Sequence, residues 1–304
     1  MERNHAKKTC LIGLGLITQR YIQGLEKAPL LSIRAVSDID ENAVSRKLYG
    51  EYPFYSDYKQ MIKNESTEYV IISTPPQSHF EIARFCLECG VNVIIEKPVT
   101  LCIEDFDALV ELAEKNRLIF RTLFHWHGGI ETNAFDEKYD LSKIEEIKVS
   151  VCDPYCSDAE TIDVERRALM GAWIDSGVNT LSMIRRWLPF EKVEILKTET
   201  QRCKETNLPV YARVELIIDG VPAEIAIDWR LGKDKKESFV KICDRWVHVD
   251  HSEQKIEDGG VSEYTRMPRL NEHYKYLFET FEEKSNTEFS RSVHKALFEV
   301  NEVL

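Results

Sequence analysis

Five short apolar runs with helical patterns between them limit what this chain can fold into more than any other feature of it. The runs Thr9–Leu14, Leu31–Ser37, Tyr69–Ser73, Asn92–Ile95 and Leu118–Leu123 are continuous rather than alternating, as strands covered on both faces are. Helical patterns lie among them at Ile17–Ala28, Glu41–Tyr49, Asp57–Lys63, Ser78–Cys89 and Ile103–Asn116. In the last, Ile103, Phe106, Leu109, Val110 and Ala113 form one apolar face. Strands and helices in strict alternation predict a doubly wound parallel sheet. After Thr122 the pattern changes. Ile144–Cys152 alternates, Tyr211–Ile218 and Ala223–Trp229 flank the turn Asp219-Gly220, and Glu237–Cys243 and Trp246–Val249 flank Asp244-Arg245. With helices at Gly171–Leu188 and Asn271–Lys284, this half reads as an α+β domain whose open sheet is mostly antiparallel.

The first strand ends in Gly13-Leu14-Gly15-Leu16-Ile17-Thr18 and opens into a helix. Glycines at such a turn let backbone N–H groups approach a pyrophosphate, and the helix start adds partial positive charge. The pattern alone also fits a plain tight turn, and Thr18 stands where Gly or Ala is usual. Asp38, after the second strand, has the separation of a carboxylate that binds an adenosine ribose; a loop acid or helix cap is the ordinary alternative. Together these predict an α/β fold with an N-terminal Rossmann domain, 1–122, binding NAD, with NADP possible, and a second domain, 123–304.

The third strand runs into Ser73-Thr74-Pro75-Pro76-Gln77-Ser78-His79 and the fourth into Glu96-Lys97-Pro98. Ligands of open α/β sheets bind at these carboxyl ends. A lysine there is either solvated or placed to hydrogen-bond a substrate hydroxyl. On the Gly171–Leu188 helix, Asp175, Asn179, Ser182 and Arg186 recur at steps of four, three and four, a polar stripe on a helix otherwise apolar. A structural network ending in Arg186 explains that stripe as well as a catalytic one does. Gly177 within the helix costs about 1 kcal/mol against Ala, which suggests close approach to its backbone. His127 reads as a hydrogen-bonded histidine near the domain join or, beside Trp126, as a sugar contact.

Gly13-Leu14-Gly15-Leu16-Ile17, Thr74-Pro75-Pro76 with His79, and above all Glu96-Lys97-Pro98 resemble the glucose–fructose oxidoreductase and inositol dehydrogenase (Gfo/Idh/MocA) family. Phe124-His125-Trp126-His127 and Asp175-Ser176-Gly177-Val178-Asn179 fit it too, although His is the commoner residue where Asn179 stands. The Asn form, Ile227-Asp228-Trp229-Arg230 and Glu263-Tyr264 resemble the branch of D-galactose and L-arabinose 1-dehydrogenases. The resemblance implies oxidation of an aldopyranose at C1 to its lactone. Gly13, Gly15, Leu16, Ile17, Asp38, Ser73, Thr74, Pro75, His79, Glu96 and Lys97 are then the cofactor residues. Lys97 hydrogen-bonds the hydroxyl, Asp175 accepts its proton, Asn179 positions the sugar, and Trp126 and His127 contact it. A homodimer or larger homo-oligomer follows from the resemblance only. An inositol, nucleotide-sugar or sugar-phosphate dehydrogenase, and a cofactor-binding sensor without turnover, are the competing readings.

A formal net charge of −12 speaks against nucleic acid. No apolar run approaches the roughly 18 residues of a membrane span. The first residues lack a cleavage-like pattern, so a cytoplasmic protein with free thiols is expected. Cys86 and Cys89 fall at the end of a helix rather than at its start, where a thiolate is stabilised, and read as packing residues. No metal cluster is expected, and hydride transfer needs none.

Overall fold

The computed structural model describes residues 6–158, 161–263 and 268–304. Two compact units divide the chain: residues up to His125 with Leu270–Arg291, and Trp126–Arg269 with Ser292–Leu304. The return of 270–291 to the first unit is a departure from the single division at 122/123.

In the first unit, β1 (Lys7–Ile12), α1 (Ile22–Lys27), β2 (Leu31–Ser37), β3 (Phe54–Tyr55), α2 (Tyr58–Asn64), β4 (Tyr69–Ile72), α3 (Pro76–Glu88), β5 (Asn92–Glu96), α4 (Ile103–Asn116) and β6 (Phe120–Leu123) follow in order. The sheet order is β3-β2-β1-β4-β5-β6, every pair parallel. The chain reverses direction across the sheet between β1 and β4, the switch point where such folds bind ligands. Val70–Ile72 and Val93–Ile95 are fully buried, so continuous apolar runs, not alternation, mark these strands. α3 starts two residues before the expected Ser78, because Pro76 occupies a first-turn position where its missing N–H costs nothing.

Two helical expectations change. Ile17–Ala28 is a 3₁₀ turn, Leu16–Arg20, followed by the short α1. Glu41–Tyr49 keeps only one 3₁₀ turn, Arg46–Tyr49. There the Asp38 and Asp40 carboxylates accept the N–H groups of Asp40 and Asn42 at 2.9 Å each, local turns that compete with a helix. The tiny β3 was not legible.

From the end of the chain, α7 (Arg269–Glu279) packs on α1 so closely that a Cβ on Gly24 would lie 2.8 Å from the Lys275 Cα. Gly24→Ala is therefore expected to destabilise the protein by about 1–3 kcal/mol, read as an earlier denaturant midpoint; an unchanged midpoint would mean that α7 yields freely. The segment after α7 also covers the β6 edge. Phe120 N–H donates to Ser285 Oγ (3.0 Å) and Thr122 N–H to Asn286 Oδ1 (2.9 Å), satisfying backbone groups that an open edge exposes.

The second unit holds α5 (Ile130–Lys138), β7 (Ile144–Cys152), the hairpin β8 (Cys156–Asp158) and β9 (Thr161–Ile162), α6 (Val178–Trp187) and strands β10 (Val193–Arg202), β11 (Pro209–Ile218), β12 (Val221–Asp228), β13 (Lys235–Ile242), β14 (Arg245–Asp250), β15 (Lys255–Glu257) and β16 (Val261–Glu263). A last helix, α8, spans Thr287–Asn301. The eight-stranded sheet runs β10-β11-β12-β7-β13-β14-β15-β16 and is antiparallel except at β12–β7. The mostly antiparallel open sheet is as expected. β10, largely exposed and polar from Lys197 onward, was not anticipated, nor was α8. Tyr264 of the Glu263-Tyr264 pair lies outside the described residues.

Candidate active site

The glycine turn is built by close approach. Gly13 has φ +92°, and a Cβ there would stand 2.8 Å from the backbone of Ser73 and Thr74, so β1 and the end of β4 touch through a residue that only glycine can be. Ser73 Oγ donates to the Gly13 carbonyl at 2.9 Å. Around Gly15 nothing lies within 4 Å of a Cβ position, and no side chain caps the turn Leu16–Arg20 that follows. Hydroxyls of Thr18 and Ser45 donate to the Gly15 carbonyl at 2.8 and 2.6 Å. Thr18 is fully buried, so its place in the glycine pattern is one of packing.

Asp38 belongs to the same construction. One carboxylate oxygen accepts the Leu14 N–H at 2.7 Å and the other the Asp40 N–H, each leaving a lone pair for a further donor. The carboxylate is thus fixed at the glycine turn. Backbone amides, an open glycine and a fixed acid are the donor and acceptor set a dinucleotide takes. Arg46 is already engaged: it donates to the Tyr49 carbonyl at 3.1 Å and stacks 4.8 Å from the Phe54 ring centroid.

His79 is fully buried, and its ring nitrogens lie 2.9 Å from the Pro98 carbonyl oxygen and 2.7 Å from that of Thr74. Burial pushes its pKa below the usual histidine value, against the pull of these carbonyls. His79 is a strut joining the loops after β4 and β5, so its part at the expected cofactor site is to hold those loops. Thr74 accepts a hydroxyl bond from Ser78 at 2.8 Å, and Pro75 precedes α3 in extended conformation.

Glu96, at the end of β5, is buried; its Oε1 accepts hydroxyl bonds from Tyr21 (2.5 Å) and Tyr274 (2.7 Å), and its Oε2 lies 3.2 Å from the Lys97 N–H. Burial raises the Glu96 pKa, while Lys97 and the two hydroxyls pull it back down. Lys97 itself is half-buried. Neither tyrosine is visible as a site residue in sequence.

In the second unit, Asp175 lies in a π-helical turn, Trp173–Gly177, that leads directly into α6. Such turns often mark functional sites. Across Gly171–Ile184 every residue is buried except Asp175, which is half-exposed. What approaches Gly177 is the indole of Trp173, whose ring atoms would meet a Cβ at 3.0–3.1 Å. Asn179 Nδ2 donates to the Asp175 carbonyl at 3.2 Å, while its Oδ1 is buried with no hydrogen-bond partner. That acceptor suits a substrate hydroxyl.

The polar stripe is not one network. Arg186 turns to α5, pairing with Asp136, donating to Asn133 Oδ1 at 2.7 Å and to the His127 carbonyl at 3.0 Å. Half-buried His127 is therefore held through its backbone. Trp126 is 1% exposed, and its ring stacks on His251 with centroids 5.0 Å apart. His251 Nδ1 lies 2.9 Å from Glu131 Oε1 and its Nε2 2.8 Å from Ser238 Oγ, so the ring that Trp126 packs on is itself fixed. Cys86 is buried and Cys89 exposed, both free thiols.

Residues 7–124 match a family model described as an oxidoreductase family with an NAD-binding Rossmann fold. Over 189 residues the chain is 23% identical to a myo-inositol 2-dehydrogenase of Thermotoga maritima, covering 60% of this chain and 55% of that protein. The chain thus spans about half the length of this curated relative. Among solved structures, a probable dehydrogenase from Thermotoga maritima is similar with TM-score 0.80 and 18% identity, covering 98% of this chain and 96% of that one. A D-galactose-1-dehydrogenase from Rhizobium etli matches with TM-score 0.77 and 20% identity, covering 97% and 94%.

Proposed function

We propose that this chain, which through residues 7–124 belongs to the Gfo/Idh/MocA oxidoreductase family, is an NAD-dependent dehydrogenase that oxidises an aldopyranose at C1 to its lactone. The observation that carries the reading is Asp175, the one half-exposed side chain in an otherwise buried stretch, set in a π-helical turn beside the unpartnered Asn179 Oδ1. NAD, when bound, supplies the hydride acceptor. The glycine turn and Asp38 hold it by its pyrophosphate and ribose. Lys97 hydrogen-bonds the C1 hydroxyl, Asp175 accepts its proton, and Asn179 and His127 orient the ring.

Asp38 sets the cofactor preference. Its carboxylate bonds a ribose 2′-hydroxyl and repels a 2′-phosphate. Two unit charges about 4 Å apart at an effective dielectric near 20 interact by about 4 kcal/mol. Even after screening, kcat/KM is expected to favour NAD over NADP at least about tenfold, or about 1.4 kcal/mol. Equal use of NADP would remove Asp38 from the ribose.

The substrate reading is tested by following NAD reduction with aldoses, inositols and sugar phosphates. D-galactose or L-arabinose is expected to give the highest kcat/KM, with lactone as product. The similarity to a myo-inositol 2-dehydrogenase makes inositol oxidation the second reading; preferential turnover of inositols would establish it. Tight binding of NAD and sugar without any reduction would make the protein a sensor.

A further inference from the structure

The Glu96 carboxylate is enclosed by donors from three parts of the first unit. Tyr21, between the first 3₁₀ turn and α1, and Tyr274, on α7, are both fully buried and both donate to the same oxygen. Their rings lie 4.8 Å apart, with Phe278 against Tyr21 at 5.2 Å. Lys97 supplies its N–H to the other oxygen and its positive charge nearby. Beyond these, the Tyr49 hydroxyl donates to the Thr18 carbonyl at 2.7 Å, and the His125 ring packs on Tyr274 while contacting His273 at 3.3 Å. A buried carboxyl that only accepts hydrogen bonds is best satisfied as the anion. Tyr21 remains a donor, since burial and the Glu96 charge push its pKa well up.

We propose that Tyr21 and Tyr274 are positioning residues: by donating to one oxygen of Glu96 they keep this carboxylate ionised against the Lys97 amide and so hold Lys97 in register for turnover. This inference rests on the role given above to Lys97. Gly24 belongs to the device, because its missing Cβ lets α7 approach α1. Each hydroxyl bond favours the ionised carboxylate, so removing one raises the Glu96 pKa, and the ionised form is lost from higher pH as acid is added.

The test uses the full chain as wild type, Tyr274→Phe, Tyr21→Phe, Glu96→Gln and the packing control Phe278→Leu. Isotope-edited infrared titration follows the glutamate carboxyls in ligand-free protein. The Glu96 band, identified by its loss in Glu96→Gln, is expected to titrate roughly one pH unit higher in Tyr274→Phe and Tyr21→Phe. With NAD and the best sugar of the panel, the acidic limb of kcat should move up with it, while NAD Kd and sugar KM stay within about twofold. Phe278→Leu should lower Tm and leave the limb in place. An unmoved infrared midpoint overturns the proposal, and so does a moved midpoint with an unmoved limb. If the wild type reduces NAD with no sugar, the dehydrogenase reading fails by itself, and the infrared midpoint still decides whether the tyrosines hold the carboxylate ionised.

Discussion

Asp175→Asn is expected to lower kcat by about 10²- to 10⁴-fold with little change in folding or NAD affinity, the range that loss of a general base produces. A histidine at position 179 would offer an imidazole to take the hydroxyl proton. Asn179 cannot replace it, because an amide does not titrate and only donates or accepts hydrogen bonds. Asp175 is the carboxylate that the π-helical turn presents beside it, one turn earlier in the chain. Asparagine there keeps the shape and the hydrogen-bonding capacity but removes the base. Asn179→Ala should act more modestly, raising KM and lowering kcat through lost positioning. Near-normal kcat in Asp175→Asn, with turnover abolished in Lys97→Met, would move the base to the lysine.

Lys97→Ala is the second large effect. NAD affinity should stay within a few-fold while kcat falls about 10²-fold or more, the usual size of a lost proton-handling group. Pre-steady-state rates of NAD reduction separate this from slowed product release. Unchanged turnover would take Lys97 out of the mechanism and reduce the Glu-Lys-Pro segment to a structural one. Because Glu96 is anchored by Tyr21, Tyr274 and the Lys97 amide, removing the Lys97 side chain leaves the backbone of the segment held.

The parallel sheet was legible because burial on both faces leaves nothing polar in Tyr69–Ile72 or Val93–Ile95. The helix at Ile103–Asn116 was legible to the residue, with Glu104 and Asp105 in its first turn complementing the dipole and Arg117 closing it in left-handed conformation. Glu41–Tyr49 misled because helical spacing gives no weight to Asp38 and Asp40, whose carboxylates bind the backbone locally. β10 hid because Lys197–Arg202 is polar on both faces.

Near the candidate site, features local in sequence reappear as local structure: the glycine turn at Gly13, Asp38 bonded to the Leu14 N–H, Lys97 following β5, and Asp175 on the helix that carries Asn179. What failed was anything set by distant partners. Tyr21 and Tyr274 reach Glu96 across 75 and 178 residues, a separation no spacing rule bridges. The partners of His79 and Trp126, the Thr74 and Pro98 carbonyls and the His251 ring, are likewise set by the fold and not by spacing.

D-galactose or L-arabinose labelled with deuterium at C1, incubated with the protein and NAD, tests the central claim most directly. The label is expected to leave the sugar as the lactone forms and to be recovered in the reduced nicotinamide. Reduced cofactor carrying only protium would place the oxidation at another carbon, and no reduction with either sugar would contradict the assignment as an aldose 1-dehydrogenase.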